Sequence, residues 1–583
     1  MKVLGILAFF LLYAHAIVIL DNSTYTAPAA FNLSSSSSTP APSPAILPIA
    51  PRKRSSTPHL LKRFLPEPLP DPSYDSNGRG TVRILVPREK YESPNAASQL
   101  RTQQAWGQAS GLDIHWVPMA SGSTYKDYLT VVLRLCNTSI NGFTMTSATP
   151  TEYDPIDLIW IDGASGGILS DCMIDLWSWD ASLGGGHDPL YLLGGIVPAM
   201  GNRTKKLVSL PAEADFGMIY YNMDILNRYG FDNPPNDITE LETQMTTIIQ
   251  AEHALENYGL SGITSEYTPT EGLTVNVVEW LGVSNTSLLS LSNNVTVATT
   301  AFAQILVRVA SWVSSSLIDP RDLQSSSDAA SVDRFVSGKA IFLRSWTTSV
   351  IKQLRATASF SWGFMPIIPL ENGGGINPSV IGGWWLGVPK SAKNPAGALR
   401  VIKYMTSLGY QRMNVINAGP TGNWAIPSYP ALMNDASVVN VIGPNVASYF
   451  LKANKTIRPS LVTGSLYTNF SSQVSATTSK ILSGESWVVD ALGGLDRSLR
   501  VLLDQSLLNS PNMSDIDSTI STPTTNRGHS PAWLKTQLAG LLLVISVVIV
   551  GAAMHRRKVA YQIQQNNSGF VELKASKLSN TYP

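Results

Sequence analysis

Residues Gly163, Ala164, Ser165, Gly166 and Gly167 satisfy a G-x-S-x-G pattern, the spacing that places a serine on a sharp strand-to-helix turn for nucleophilic attack. The run before it, Ile156 to Ile161, reads as a buried strand, as that turn requires. A serine hydrolase also needs an acid and then a histidine downstream. His187 falls too near, in a glycine-rich loop; His253 lies in a polar helical stretch and His529 in a Ser/Pro-rich segment, so no triad is completed. The glycines are read instead as letting backbone approach a ligand or open a helix. The patterns H-E-x-x-H, C-x-x-C and G-x-x-x-x-G-K-[ST] are missing from the sequence, so neither a catalytic zinc site nor a nucleotide-driven motor is encoded. The expectation is a binding protein rather than an enzyme, with no cofactor and no metal.

Bulk properties narrow the partners. With 583 residues the chain exceeds the usual domain size of about 100 to 250 residues, which suits two packed lobes with extensions. Lys+Arg 42 against Asp+Glu 41 leaves a formal charge of +1, so no basic surface is available for a phosphate backbone and nucleic acid is excluded as a partner. Only 14% of residues are charged, against roughly 25% in an ordinary soluble domain, a composition that fits a glycosylated surface protein.

Residues 1–16 have the form of a signal peptide: Lys2, an apolar run from Val3 to Leu12, and the small-residue site Ala14, His15, Ala16. Residues 17–79 are rich in Ser and Pro and cannot build a core. Within them Arg52, Lys53, Arg54 and Lys62, Arg63 are either protease sites of the secretory route or solvated charges. From Thr81 onward helical and strand patterns alternate, which indicates α/β lobes over 80–505. A Ser/Thr/Asn/Pro stalk is expected at 506–535, then an uncharged apolar segment at 536–554 long enough to cross a hydrocarbon core of about 30 Å. The basic residues Arg556, Arg557 and Lys558 after it place the tail 555–583 in the cytoplasm. The topology is single-pass, type I, at the cell membrane, with the large domain outside or lumenal. Sequons at Asn22, Asn32, Asn137, Asn202, Asn285, Asn294, Asn454, Asn469 and Asn512 all fall on that side. So do both cysteines, Cys136 and Cys172, where an oxidising compartment allows them to pair.

Several ordered blocks carry a family likeness. Asp215, Gly217, Tyr220, Tyr221 and Asn222, then Pro234, Pro235 and Glu240, form a D-x-G-x-x-Y-Y-N block with a following helix. Glu271 to Thr274 with Glu279 and Trp280 form a second block; Phe335, Gly338, Ala340, Phe342 and Trp346 form a third. Gly382, Gly383, Trp384, Trp385, Leu386, Gly387, Val388 and Pro389 form the fourth. Over about residues 80–505 the chain resembles the family 1 extracellular solute-binding proteins, the maltose- and trehalose-binding components of ABC importers.

That resemblance implies an α/β fold of the type II periplasmic-binding-protein kind, two lobes with a hinge and an interlobe cleft, crossed near 213, 366 and again near 411. It implies reversible binding of a small carbohydrate, a maltose- or trehalose-like oligosaccharide, for uptake or sensing. A pyranose presents apolar C–H faces and a rim of hydroxyls, so its site needs aromatic plates and charged hydrogen-bonding groups. The residues it points to are Asp162, Asp215, Trp346, Gly383, Trp384 and Trp385, with Arg88 and Glu89 in the loop after the first strand. Gly422 stands where relatives often carry an arginine, and Trp424 offers a stacking surface instead. Asp215 has a second reading as a backbone cap or hinge brace. Trp385 has a second reading as a core residue, and Glu279 and Trp280 read as a buried helix face. Because one span forms no permease, a separate transporter or signalling membrane partner is implied. The alternative is a surface recognition, adhesion or receptor ectodomain that kept the fold without sugar binding.

Overall fold

A computed structural model describes residues 78–506, apart from internal stretches such as 136–152, 199–204 and 370–377. The expected signal peptide, Ser/Pro-rich extension with its dibasic steps, stalk, apolar segment 536–554 and basic tail therefore lie outside the described residues. So do Cys136 and the sequons at Asn22, Asn32, Asn137, Asn202 and Asn512. Among the described residues, no helix is long and apolar enough to cross a membrane.

The strands are β1 (Gly80–Val86), β2 (Leu112–Pro118), β3 (Leu158–Asp162), β4 (Ile196–Pro198), β5 (Lys205–Leu207), β6 (Leu210–Asn222), β7 (Ser261–Thr264), β8 (Ala340–Trp346), β9 (Trp362–Met365), β10 (Pro378–Gly387) and β11 (Asn454–Thr456). Strands β1, β2 and β3 run parallel, Ile84 facing Leu158 and Val82 facing Ile114. Parallel neighbours need a crossover, and the helix Ala96–Ala109 supplies it between β1 and β2. Leu158, Ile159, Trp160 and Ile161 are all buried, because helices cover both faces of such a strand.

Two hydrophobic cores form around one sheet of order β2-β1-β3-β10-β6-β8-β7. The first gathers Val82, Ile84, Leu158, Leu210, Leu386 and Val401. The second gathers Leu226, Met245, Leu273, Phe302, Phe342 and Leu492. Helix Thr300–Ser314 shows how sequence sets this packing: Phe302, Leu306, Val309 and Val313 are buried at helical spacing. Its start is fixed by Thr299, whose hydroxyl accepts the Phe302 N–H at 3.2 Å. Burying each such side chain contributes about 1.5–3 kcal/mol.

The chain passes between the cores repeatedly: Val332, Phe335, Leu343 and Val350 pack in the first core, within the stretch between Ile219 and Ile367 of the second. Strand β6 leaves the first core and delivers Ile219 to the second; β10 returns; and residues 454–467 cross again, ending at the helix Tyr467–Leu482, which buries Phe470 and Val474 in the second core. Of the positions where crossings are expected, Ile219 lies in the second core a few residues after 213, Ile367 and Ile368 pack in the second core beside 366, and Tyr410 and Val415 sit inside the first core around 411.

Candidate ligand-binding cleft

Strands β3, β6 and β10 and the start of the helix Thr347–Thr357 enclose a cavity of about 420 Å³. Its wall includes Asp162, Asp215, Trp346, Gly383 and Trp384, residues far apart in sequence that the sheet register brings together. Trp384 pairs with Asp162 on one side and Glu213 on the other, and Gly382 pairs with Asp215.

The glycine pair before the tryptophans is required by backbone geometry. Gly383 has φ +107, in the region that disfavours side chains, and a Cβ there would collide with the Glu213 carbonyl. The register shifts between Trp384 and Trp385. Consecutive residues then face opposite sides of the strand. Trp384 is half-buried at the cleft, held edge-on by Tyr128 with ring centroids 6.5 Å apart. Trp385 is 1% exposed and its indole N–H donates to the Tyr191 carbonyl at 2.9 Å. It is a core residue and not a cleft plate, which corrects its place among the ligand contacts.

The D-x-G-x-x-Y-Y-N block acquires a physical meaning residue by residue. The Asp215 carboxylate accepts the backbone N–H groups of Phe216 and Thr347 at 2.8 Å and of Thr348 at 3.3 Å, so it caps the helix Thr347–Thr357. Burial raises its pKa, and those N–H donors hold the rise back. Gly217 leaves room for the Arg344–Glu279 ion pair. Tyr220 donates its hydroxyl to the Trp346 carbonyl at 3.1 Å, bracing the strand end that carries the cleft tryptophan. Asn222 caps the helix Met223–Arg228 by accepting the Ile225 N–H at 3.1 Å. Asp215 thus follows the bracing alternative while also forming part of the cleft wall.

Other expected contacts separate in the same way. Arg88 donates to the Met119 carbonyl at 3.2 Å and is not part of the cleft wall. Glu89 belongs to the short helix Arg88–Tyr91. Trp424 contributes to the wall but is fully buried, its N–H donating to the Pro420 carbonyl at 3.1 Å and the Arg355 guanidinium 5.5 Å from its ring; it is a wall residue, not an exposed stacking plate. Glu279 lies 2% exposed on its helix, accepting a two-point grip from Arg344 at 2.6 and 2.7 Å. Ser165 is buried, and Gly167 lies so close to the Ser460 carbonyl that a Cβ would collide with it, so the glycine run packs backbone on backbone. His187 bonds Ser428 Oγ at 2.7 Å.

Charged residues that the sequence reading passed over complete the wall. Lys90 pairs with Glu213 and lies 5.0 Å from the Trp384 ring centroid and 4.9 Å from that of Trp160. Lys352 donates to the Trp424 carbonyl at 3.2 Å, and burial lowers its pKa to about 8. Asp328 accepts from Ser345 at 2.7 Å, and burial raises its pKa. Glu213 had a legible signal: it stands two residues before Asp215 on a strand and so shares its face. Lys90 stands two residues beyond Arg88 in the same short helix, without a motif to distinguish it.

Cys172 is buried and disulfide-bonded. Of the sequons described, Asn285, Asn294 and Asn454 are exposed, and Asn469 is half-buried beside Gln473.

The family model for bacterial extracellular solute-binding proteins matches residues 141–412. A probable ABC transporter-binding protein of Deinococcus radiodurans is 26% identical over 347 residues, 59% of this chain and 79% of that relative. Maltose-bound MalE3 of T. maritima superposes with TM-score 0.59 at 20% identity, covering 73% of this chain and all of that one. The GacH receptor of Streptomyces glaucescens, solved unliganded and with acarbose, does so at 0.56 and 19%, covering 73% and 99%. The fold is that of the solute-binding proteins. The sequence matches support that family.

Proposed function

We propose that this protein is a membrane-anchored extracellular solute-binding protein whose cleft reversibly takes a small carbohydrate, of the maltose- or trehalose-like oligosaccharide class, for uptake or sensing. The observation that carries the reading is the cavity of about 420 Å³ walled by Trp346 and Trp384 together with Asp162, Glu213 and Lys352. Half-buried indoles match the C–H faces of a pyranose, and charged groups match its hydroxyls. Structural relatives solved with maltose and with cycloalternan support it. The anchor is the apolar segment 536–554, and a separate transporter or signalling protein reads the closed state. No bond chemistry is required of the cleft.

A thermal-shift screen of the full-length chain against neutral oligosaccharides, polyols and amino acids tests this. A ligand at 100 times its dissociation constant adds about 2.7 kcal/mol to stability. A shift confined to sugars supports the reading; no shift with any member sinks it.

A second reading, a recognition ectodomain that retained the fold, is favoured by a specific feature. Asp162, Asp215 and Glu213 are each already engaged within the protein, by Arg458, by backbone N–H groups and by Lys90. A small ligand then has to share or displace those contacts.

A further inference from the structure

The passage of the chain after β11 carries a contact that neither the motifs nor the cleft explains. After β11, which pairs with β10 through Asn454 opposite Pro378, Arg458 is 4% exposed with both ends of its guanidinium engaged. Its Nη2 lies 3.1 Å from Asp162 Oδ1, at the end of β3 in the first lobe. Its Nη1 donates to Glu271 Oε1 at 3.2 Å, in the first turn of the helix Glu271–Val283, whose Leu273 and Val277 pack in the second lobe. The chain leaves the first core shortly after Arg458, with Phe450 and Leu461 in that core and Phe470 in the second.

We infer that Arg458 is the hinge tie of this protein, a positioning residue that holds Asp162 of one lobe and Glu271 of the other at a fixed separation beside the cleft. The surroundings are built for it. Glu271 also accepts from Tyr467, which packs in the first core, and at 2.6 Å from Ser471, next to Phe470 of the second core, so its carboxylate is held in place on its own account. Asp162 Oδ1 also accepts the Ala164 N–H at 2.7 Å, so its carboxylate is held from the first-lobe side. Gly163 makes room between them: a Cβ there would lie 3.2 Å from Arg458 Nη2 and 2.8 Å from the Trp385 ring. Nη1 makes the hydrogen bond to Glu271 while Nη2 faces Asp162 at ion-pair distance, a two-ended arrangement that a planar guanidinium allows and the single point charge of an ammonium does not. Because Asp162 also forms part of the cavity wall, whatever pulls on that carboxylate is felt at the hinge.

The test uses the full-length chain with spin labels at two exposed sites, Asp113→Cys in the first lobe and Leu255→Cys in the second, and measures the distance between them without ligand. Arg458→Gln is expected to lengthen and broaden that distance, and Arg458→Lys to fail to restore it. Glu271→Gln, which leaves the Asp162 contact intact, is expected to widen it too and serves where the Arg458 variants do not fold. An unchanged distance in folded Arg458→Gln and Glu271→Gln, with only a lower unfolding midpoint, would overturn the tie and leave a stability residue. A second arm, which rests on the carbohydrate reading, titrates maltose: the dissociation constant is expected to rise at least tenfold in Arg458→Gln. Absence of maltose binding in the unsubstituted protein counts against the carbohydrate reading, while the ligand-free distance still decides the tie.

Discussion

Gly217 and Arg344 face each other so closely that a Cβ on Gly217 would lie 2.5 Å from the guanidinium Nη2 and nearer still to Glu279 Oε1. The glycine of the D-x-G-x-x-Y-Y-N block is thus the space in which a buried ion pair sits. Gly217→Ala is expected to cost about 1–3 kcal/mol by overpacking. Arg344→Met strands Glu279 without its partner and is expected to cost about 3–5 kcal/mol. Urea denaturation should also show the double variant Arg344→Met, Glu279→Leu recovering much of that loss; a double variant as unstable as the sum of the singles would contradict the pairing.

Trp384→Ala and Trp346→Ala should each weaken binding of the sugar that stabilises the unsubstituted protein by about tenfold, near 1.4 kcal/mol. Both should keep the unsubstituted circular dichroism spectrum. Trp385→Ala should instead lower the unfolding midpoint, by about 3–5 kcal/mol of stability, because its indole fills the first core. Calorimetric titration together with denaturation separates the two outcomes, and equal affinity in both cleft variants would show the cleft to be elsewhere.

His187 is buried, and that burial lowers its pKa to about 4 from the ordinary 6.5. Between those values the unfolded chain binds a proton that the folded one refuses, so stability rises with pH across this window. It is fully present above about 6.5 and is lost as pH falls toward 4, with a limiting size of about 3 kcal/mol. Denaturation midpoints at pH 7 and pH 4.5 should fall further for the unsubstituted protein than for His187→Gln; parallel losses would refute it.

Lys352 follows the same arithmetic in the alkaline range. Burial depresses its pKa to about 8 from 10.5, so between these values the unfolded state holds the extra proton and stability contributed at this site rises with pH. Lys352→Met removes the dependence. A stability difference between the two proteins that does not narrow from pH 8 to pH 10 would show that Lys352 is solvated.

How much of this was legible in the sequence depends on the distance over which each interaction acts. The strand β3 and its terminal Asp162 follow from the short apolar run Leu158 to Ile161. Position along a strand also separates Trp384 from Trp385, since neighbours face opposite sides, although the register shift between them, where β6 carries the extra residue Ala212, is not written in the pattern. The roles inside the Asp215 block were less accessible. Whether a carboxylate caps a helix or meets a ligand depends on where Thr347 lies in space, and nothing in the neighbouring residues records that. Arg458 had no signal at all, since its partners Asp162 and Glu271 come from other blocks and a lone arginine between Ile457 and Pro459 reads as a surface charge. Which core a helix covers is hidden for a related reason: helices of both cores have the same amphipathic pattern, and pattern alone does not tell them apart.

The unbroken strand order across both lobes has a consequence for how the cleft opens. Because β10 stays hydrogen-bonded to β3 on one side and β6 on the other, opening twists a continuous ribbon of backbone and need not unzip it. The amides at the pivot, around Phe216 and Ile381, should therefore exchange with deuterium as slowly as those in the centre of either core. The zone that would bend is then expected to be among the most protected backbone of the protein.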